Sequence, residues 1–96
     1  MNQSPPSILV VDDDVIFRQR LERAFTRRGL ETYTAESGEA AIEIARRVRP
    51  QRAVVDLRMP GMGGLDLVAE LHRLDPQMQI VILTGYGSIA SAVEAV

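Results

Sequence analysis

Four aspartates stand where short apolar runs stop. Ile8-Leu9-Val10-Val11 leads into Asp12-Asp13-Asp14, and Ala53-Val54-Val55 leads into Asp56. A third run, Ile80-Val81-Ile82-Leu83, ends at Thr84. Continuous β-branched runs that end at turn residues read as buried strands of a parallel sheet. In open α/β sheets, ligands gather at the carboxyl ends of the strands. If the three strands are neighbours, their polar ends converge on one pocket. Crowded carboxylates repel one another, and a hard divalent cation relieves the repulsion; Mg²⁺ suits one or two carboxylates with water and phosphoryl oxygens. An aspartate held beside such an ion can attack phosphorus and form an aspartyl phosphate. Thr84 would offer its hydroxyl to a phosphoryl oxygen. Asp56 alone could equally be a loop cap, and it is the second acidic cluster that favours chemistry.

The elements that must position these groups alternate. Ile8–Val11 reads as a central strand. From Val15 the pattern becomes helical, with Phe17, Leu21, Ala24 and Phe25 on one face and mostly arginines elsewhere. Asp14 is its N-cap rather than a metal ligand, and Gly29 its stop. Thr32-Tyr33-Thr34 favours a short strand. Ser37-Gly38-Glu39 opens a second helix, with Ala41, Ile44, Ala45 and Val48 inward, closed by Pro50. Arg52–Asp56 is the next strand, followed by the breakers Pro60, Gly61, Gly63 and Gly64. Gly64–Leu74 is a third helix ended by Asp75-Pro76. Gln79–Thr84 is a fourth strand, buried on both faces, and Ser88 caps a fourth helix carrying Ile89, Ala92, Val93 and Val96. Strand and helix thus alternate βαβαβαβα, which specifies a three-layer α/β fold with a parallel sheet and right-handed crossovers.

Composition narrows the classes. The chain has 96 residues, 46% hydrophobic and 25% charged, which fits one globular domain. The leader 1–7, with Ser4-Pro5-Pro6-Ser7, is expected to fray, leaving 8–96 as the domain. A formal charge of −2 argues against a nucleic-acid surface on this chain. With no Cys there is no thiolate site or disulfide. Neither a membrane span nor a signal peptide is visible, so the cytoplasm is the default location. All 11 basic residues are arginine. A mechanism that requires a lysine ammonium therefore cannot be completed within these residues. His72 falls on the polar side of the third helix and reads as solvated, like Asp66 and Glu70.

Three stretches in order, Ile8-Leu-Val-Val-Asp12-Asp13-Asp14, Val54-Val55-Asp56-Leu-Arg58-Met-Pro60-Gly-Met-Gly-Gly64 and Ile80-Val-Ile-Leu-Thr84-Gly-Tyr86-Gly, resemble the receiver domain of a two-component response regulator. The resemblance implies a flavodoxin-like sheet of order 2-1-3-4-5. It implies that Asp56 is phosphorylated by a partner histidine kinase, that Asp13 binds Mg²⁺ directly with Asp12 assisting, and that the backbone carbonyl of Arg58 joins the metal shell. Thr84 would be the switch hydroxyl, drawn inward with the phosphoryl group to shift a bistable element. Arg58 and Tyr86 would border the phosphoryl group and slow its hydrolysis. The run Leu83-Thr-Gly-Tyr-Gly-Ser-Ile-Ala90 further resembles the redox-responsive RegA/PrrA regulators, whose task is transcription control.

A complete receiver carries a fifth strand and helix, with a lysine ending that strand. Here both elements and the lysine are missing, and the domain is expected to be C-terminally incomplete. Strand four would be a bare apolar edge, so the chain is expected to self-associate through that edge or through the fourth helix, as a homodimer, or to be marginally stable. Two other functions compete. One is a degenerate receiver that only binds protein. The other is a haloacid-dehalogenase-like phosphatase, in which Asp12 of Asp12-Asp13-Asp14 is the nucleophile and Asp56 has no role.

Overall fold

A parallel sheet covered on both faces buries its central strands most deeply, and the two most buried strands, Ser7–Val11 and Arg52–Asp56, lie side by side within it. The computed structural model describes residues 5–83 and 93–94. Its strands are β1 (Ser7–Val11), β2 (Glu31–Ala35), β3 (Arg52–Asp56), β4 (Gln79–Leu83) and β5 (Val93–Glu94); its helices are α1 (Val15–Arg27), α2 (Gly38–Val48) and α3 (Gly64–Leu74). The sheet order is β2-β1-β3-β4-β5, parallel through β4. β1 and β3 adjoin with Val10 opposite Val54 and Val11 opposite Val55. The alternating expectation therefore holds from β1 to β4, including the order that brings β1, β3 and β4 side by side.

Helix boundaries follow local chemistry. The Asp14 carboxylate accepts the Phe17 N–H at 3.1 Å and caps α1. Its other end closes as a Schellman motif, with Leu30 N–H bonded to the Phe25 carbonyl and Gly29 N–H to that of Thr26. Gly29 has a φ of +89°, the left-handed conformation this turn requires. Ser37 caps α2 by accepting the Ala40 N–H. Arg49 ends α2 in the left-handed region, with φ 49° and ψ 65°, before the buried ring of Pro50.

The core lies on one face of the sheet. Leu9, Val11, Ala53, Val55 and Ile80 meet Ala41 and Ala45 of α2 and Leu67 and Leu71 of α3. Side chains alternate across a strand, so Val10, Val54 and Val81 point to the other face, where α1 packs over β1 and β2. α1 buries no residue completely: Leu21 and Phe25 are half-buried, and Phe17 is exposed.

Two expectations need correcting. β4 is not buried on both faces. Ile80 is buried, but Val81 is 37% exposed, because α1 covers β1 and β2 and does not reach across to β4. The expected fourth helix is contradicted at Val93 and Glu94, which form a short strand antiparallel to β4, opposite Ile82 and Val81. The β4 edge is therefore paired along those two residues rather than bare, and apolar β4 has found the backbone partner that an edge strand lacks. β5 is antiparallel and so is not the parallel fifth strand of a complete receiver. The rest of the expected helix, with Ser88, lies outside the described residues.

A left-handed Arg49 stores a backbone cost that glycine would not have. Arg49→Gly should raise stability by about 0.5–1 kcal/mol in urea unfolding, whereas Arg49→Ala, which keeps the Cβ, should give no comparable gain.

Candidate functional site

The site is built where β1 and β3 end together. Register places Val11 opposite Val55, so the next residues, Asp12 and Asp56, emerge at the same level of the sheet. Asp12 is 5% exposed and Asp56 8%. Asp13, one residue further, is exposed. One carboxylate oxygen from each of Asp12, Asp13 and Asp56 lies within 4.8 Å of the others. The three carboxylates singled out in the sequence thus converge, two from below and one from the rim. Asp14 is turned away to its capping role.

Both buried carboxylates are tied to the loops that follow them in the same way. Asp12 Oδ1 accepts the Asp14 N–H at 2.9 Å, and Asp56 Oδ1 accepts the Arg58 N–H at 3.2 Å. Each is an Asx-type bond to the backbone two residues on. Asp12 is further fixed by its own N–H on the Ala35 carbonyl at 3.1 Å, which extends the β1–β2 ladder by one residue. Leu57 N–H does the same for β3, on the Leu83 carbonyl at 2.9 Å. Among the described residues, no buried side-chain nitrogen or oxygen lacks a hydrogen-bond partner.

The loop after Asp56 is shaped by a close approach that the sequence did not reveal. A Cβ on Gly64 would lie 2.6 Å from Leu57 Cα and 2.9 Å from the Asp56 carbonyl oxygen. Gly63 has open space around it, so of the two adjacent glycines only Gly64 is sterically required. Met62 of this loop rests on Gly38 at the start of α2, and Met59 is buried in the core. Both methionines act as packing groups. Arg18 is a second residue that spacing did not single out. Its Nη1 donates to the Asp12 carbonyl at 2.7 Å. Thr84 and Tyr86 lie outside the described residues.

Electrostatics bear on Asp12 most. Its carboxyl is pushed up from 3.8 to about 6. Burial is the main cause, opposed by the hydrogen bond from Asp14 N–H and reinforced by the charges of Asp56, Asp13 and Asp14. A set of three hard carboxylate oxygens in which two are buried, with an Oδ1 of each already used by the backbone, fits a hard divalent cation through the remaining oxygens.

The sequence matches the response regulator receiver domain family over residues 8–96. The chain belongs to that family. Like other receiver domains it is a signalling module rather than a conventional enzyme. It is 50% identical over 91 residues to the photosynthetic apparatus regulatory protein RegA of Rhodovulum sulfidophilum, covering 95% of this chain and 50% of RegA. The expected likeness to RegA-type regulators therefore extends along almost the whole receiver domain. Among solved structures it is similar to a response regulator of Burkholderia pseudomallei with a phosphorylated aspartic acid, calcium ion and citrate. That match has 36% identity and a TM-score of 0.80, and covers 88% of this chain and 50% of the other. It is also similar to the chemotaxis protein CheY4 of Vibrio cholerae, with 27% identity and a TM-score of 0.83, covering 91% of this chain and 74% of that one. The receiver domain spans about half the length of the curated RegA relatives it matches. No helix among the described residues is long and apolar enough to cross a membrane.

Two outcomes follow for the receiver domain. An acid whose folded pKa is raised favours the protonated form in the folded state. The stability this contributes is present at low pH and is lost as pH rises from the unfolded value, 3.8, through about 6. Asp12→Asn should remove most of that decline and be more stable at pH 8 by about 1–3 kcal/mol, read from metal-free urea unfolding at several pH values. Gly64→Ala should destabilise by about 1–3 kcal/mol, because backbone rather than a flexible side chain blocks the added methyl. Gly63→Ala, by the same measurement, should be far milder.

Proposed function

We propose that Asp56 accepts a phosphoryl group from the phosphohistidine of a sensor histidine kinase, in a pocket that takes Mg²⁺ at Asp12, Asp13 and Asp56. The observation that carries this reading is the convergence of three carboxylates within 4.8 Å at adjacent strand ends, two of them buried. A carboxylate oxygen of Asp56 attacks phosphorus as the phosphorus–nitrogen bond of the donor breaks, and the imidazole leaves with the bonding pair. A cation held there would neutralise charge on the transferring group. Asp12, Asp13 and Asp56 would hold that cation, and the Arg58 backbone carbonyl would be the fourth protein oxygen toward it, a role that comes from family resemblance. Asp56 is oriented by the Arg58 N–H on its Oδ1, which leaves its other oxygen for attack.

Thr84 carries the switch in this reading, by donating its hydroxyl to the phosphoryl group. Arg58 and Tyr86 flank that group and slow attack by water, so the aspartyl phosphate turns over slowly. The solved relative with a phosphorylated aspartic acid and a calcium ion supports this chemistry by likeness. By likeness, the receiver serves transcription control: one relative is named the transcriptional regulatory protein GlrR and another the photosynthetic apparatus regulatory protein RegA. The phosphatase reading has less support, because it leaves Asp56 with no role although Asp56 sits within the acid cluster.

Intact mass spectrometry after incubation with acetyl phosphate and Mg²⁺ tests the proposal. One added phosphoryl group is expected on the wild-type chain, none on Asp56→Asn, and none when the cation is chelated. Addition that persists in Asp56→Asn but vanishes in Asp12→Asn would favour the phosphatase chemistry instead.

A further inference from the structure

Asp13 is the carboxylate of the cluster with the least to hold it. Asp12 and Asp56 are buried and bonded to backbone, whereas Asp13 is exposed. It belongs to a loop whose Asp12 and Asp13 charges crowd that of Asp56 at the end of the neighbouring strand. Such a loop relieves repulsion most easily by rotating a peptide plane and swinging the exposed carboxylate outward. The peptide that governs Asp13 is the one between Asp12 and Asp13, and its carbonyl is the acceptor of the Arg18 Nη1 bond at 2.7 Å. Because a peptide unit is rigid and planar, fixing that oxygen fixes the direction in which the chain enters Asp13.

Arg18 is well placed for this. It lies in the first turn of α1, with its N–H bonded to the Asp14 carbonyl at 2.9 Å, and its side chain is half-buried. Asp14 caps this helix start by accepting the Phe17 N–H, and a guanidinium, which has no acceptor, plays no part in that capping. The bond runs instead from helix to strand end, across the loop that bears the acids. A guanidinium on a carbonyl is a charge-assisted bond of fixed geometry.

We propose that Arg18 is a positioning residue: by clamping the Asp12 carbonyl it keeps Asp13 turned toward the pocket and so prepares the site for its cation. This rests on the reading of the acid cluster as an Mg²⁺ site. The guanidinium has two opposite effects on a cation. Its charge opposes binding through water, weakly and in a salt-dependent way, while its clamp removes the disorder that binding would otherwise have to quench. The clamp is the larger effect, since supporting bonds around a metal site commonly change affinity by an order of magnitude.

Calorimetric titration with Mg²⁺, well below the melting temperature of each variant, tests this on wild type, Arg18→Met, Arg18→Lys and Asp13→Asn. Affinity should fall about tenfold in Arg18→Met, and Arg18→Lys, which keeps a donor and the charge, should recover most of it. In the metal-free protein, amide exchange at Asp14, whose N–H bonds to Asp12 Oδ1, should speed up in Arg18→Met and not in Arg18→Lys. Equal or tighter Mg²⁺ binding by Arg18→Met would overturn the proposal, as would unchanged Asp14 exchange. A lower melting temperature with unaltered affinity and exchange would reduce Arg18 to a structural bond and overturn it too. If wild type and Asp13→Asn bind no Mg²⁺ at all, the metal reading fails, and the exchange data alone decide the clamp.

Discussion

The structure depends on placing two carboxylates where they are least comfortable. Asp12 and Asp56 are delivered by adjacent strands, at the same level and nearly out of water. Burial and the neighbouring carboxylate charges oppose the ionisation of Asp12. Nothing in the hydrophobic core demands acids there. What keeps them in place is the in-register pairing of two strands whose apolar residues have nowhere better to go. Leu9, Val11, Ala53 and Val55 anchor that pairing against α2 and α3. The core, in effect, supplies the free energy that holds an unfavourable charge arrangement together.

Backbone bonding then sets what the acids can do. Each buried aspartate spends one oxygen on the N–H two residues ahead, which ties the carboxylate to its own loop. The Gly64 approach to Leu57 bends the second loop back over β3, and Arg18 restrains the first. A receiver domain is thus a rigid sheet edge carrying two short, tightly tied loops, and a ligand that binds between them feels both.

Much of this was legible in the sequence, for identifiable reasons. Apolar runs ending in Asp12 and Asp56 marked the central strands, and Asp14, Ser37 and Gly29 marked helix ends through side-chain and backbone chemistry that is local. The acid cluster could be anticipated because strand ends in a parallel sheet share one edge. What was not legible depended on distant geometry. Exposure of Val81 follows from how far α1 reaches, and the β5 pairing at Val93–Glu94 overrode a helical spacing with a strand partnership. The roles of Arg18 and Gly64 follow from close approaches between segments: Gly64 reads in the sequence only as one breaker among several, and Arg18 as one arginine among many.

The central place of β1 has a consequence for biosynthesis. β1 is made before both of its neighbours, β2 on one side and β3 on the other, so a nascent chain can close one edge early and must carry the other open. Until Arg52–Asp56 has left the ribosome, Leu9 and Val11 lack the neighbour that completes their layer. The acid pocket comes into being only when that last central strand docks. An abortive chain that ends before β3 therefore carries Asp12 and Asp13 without their partner, and a sticky strand edge for chaperones to cover.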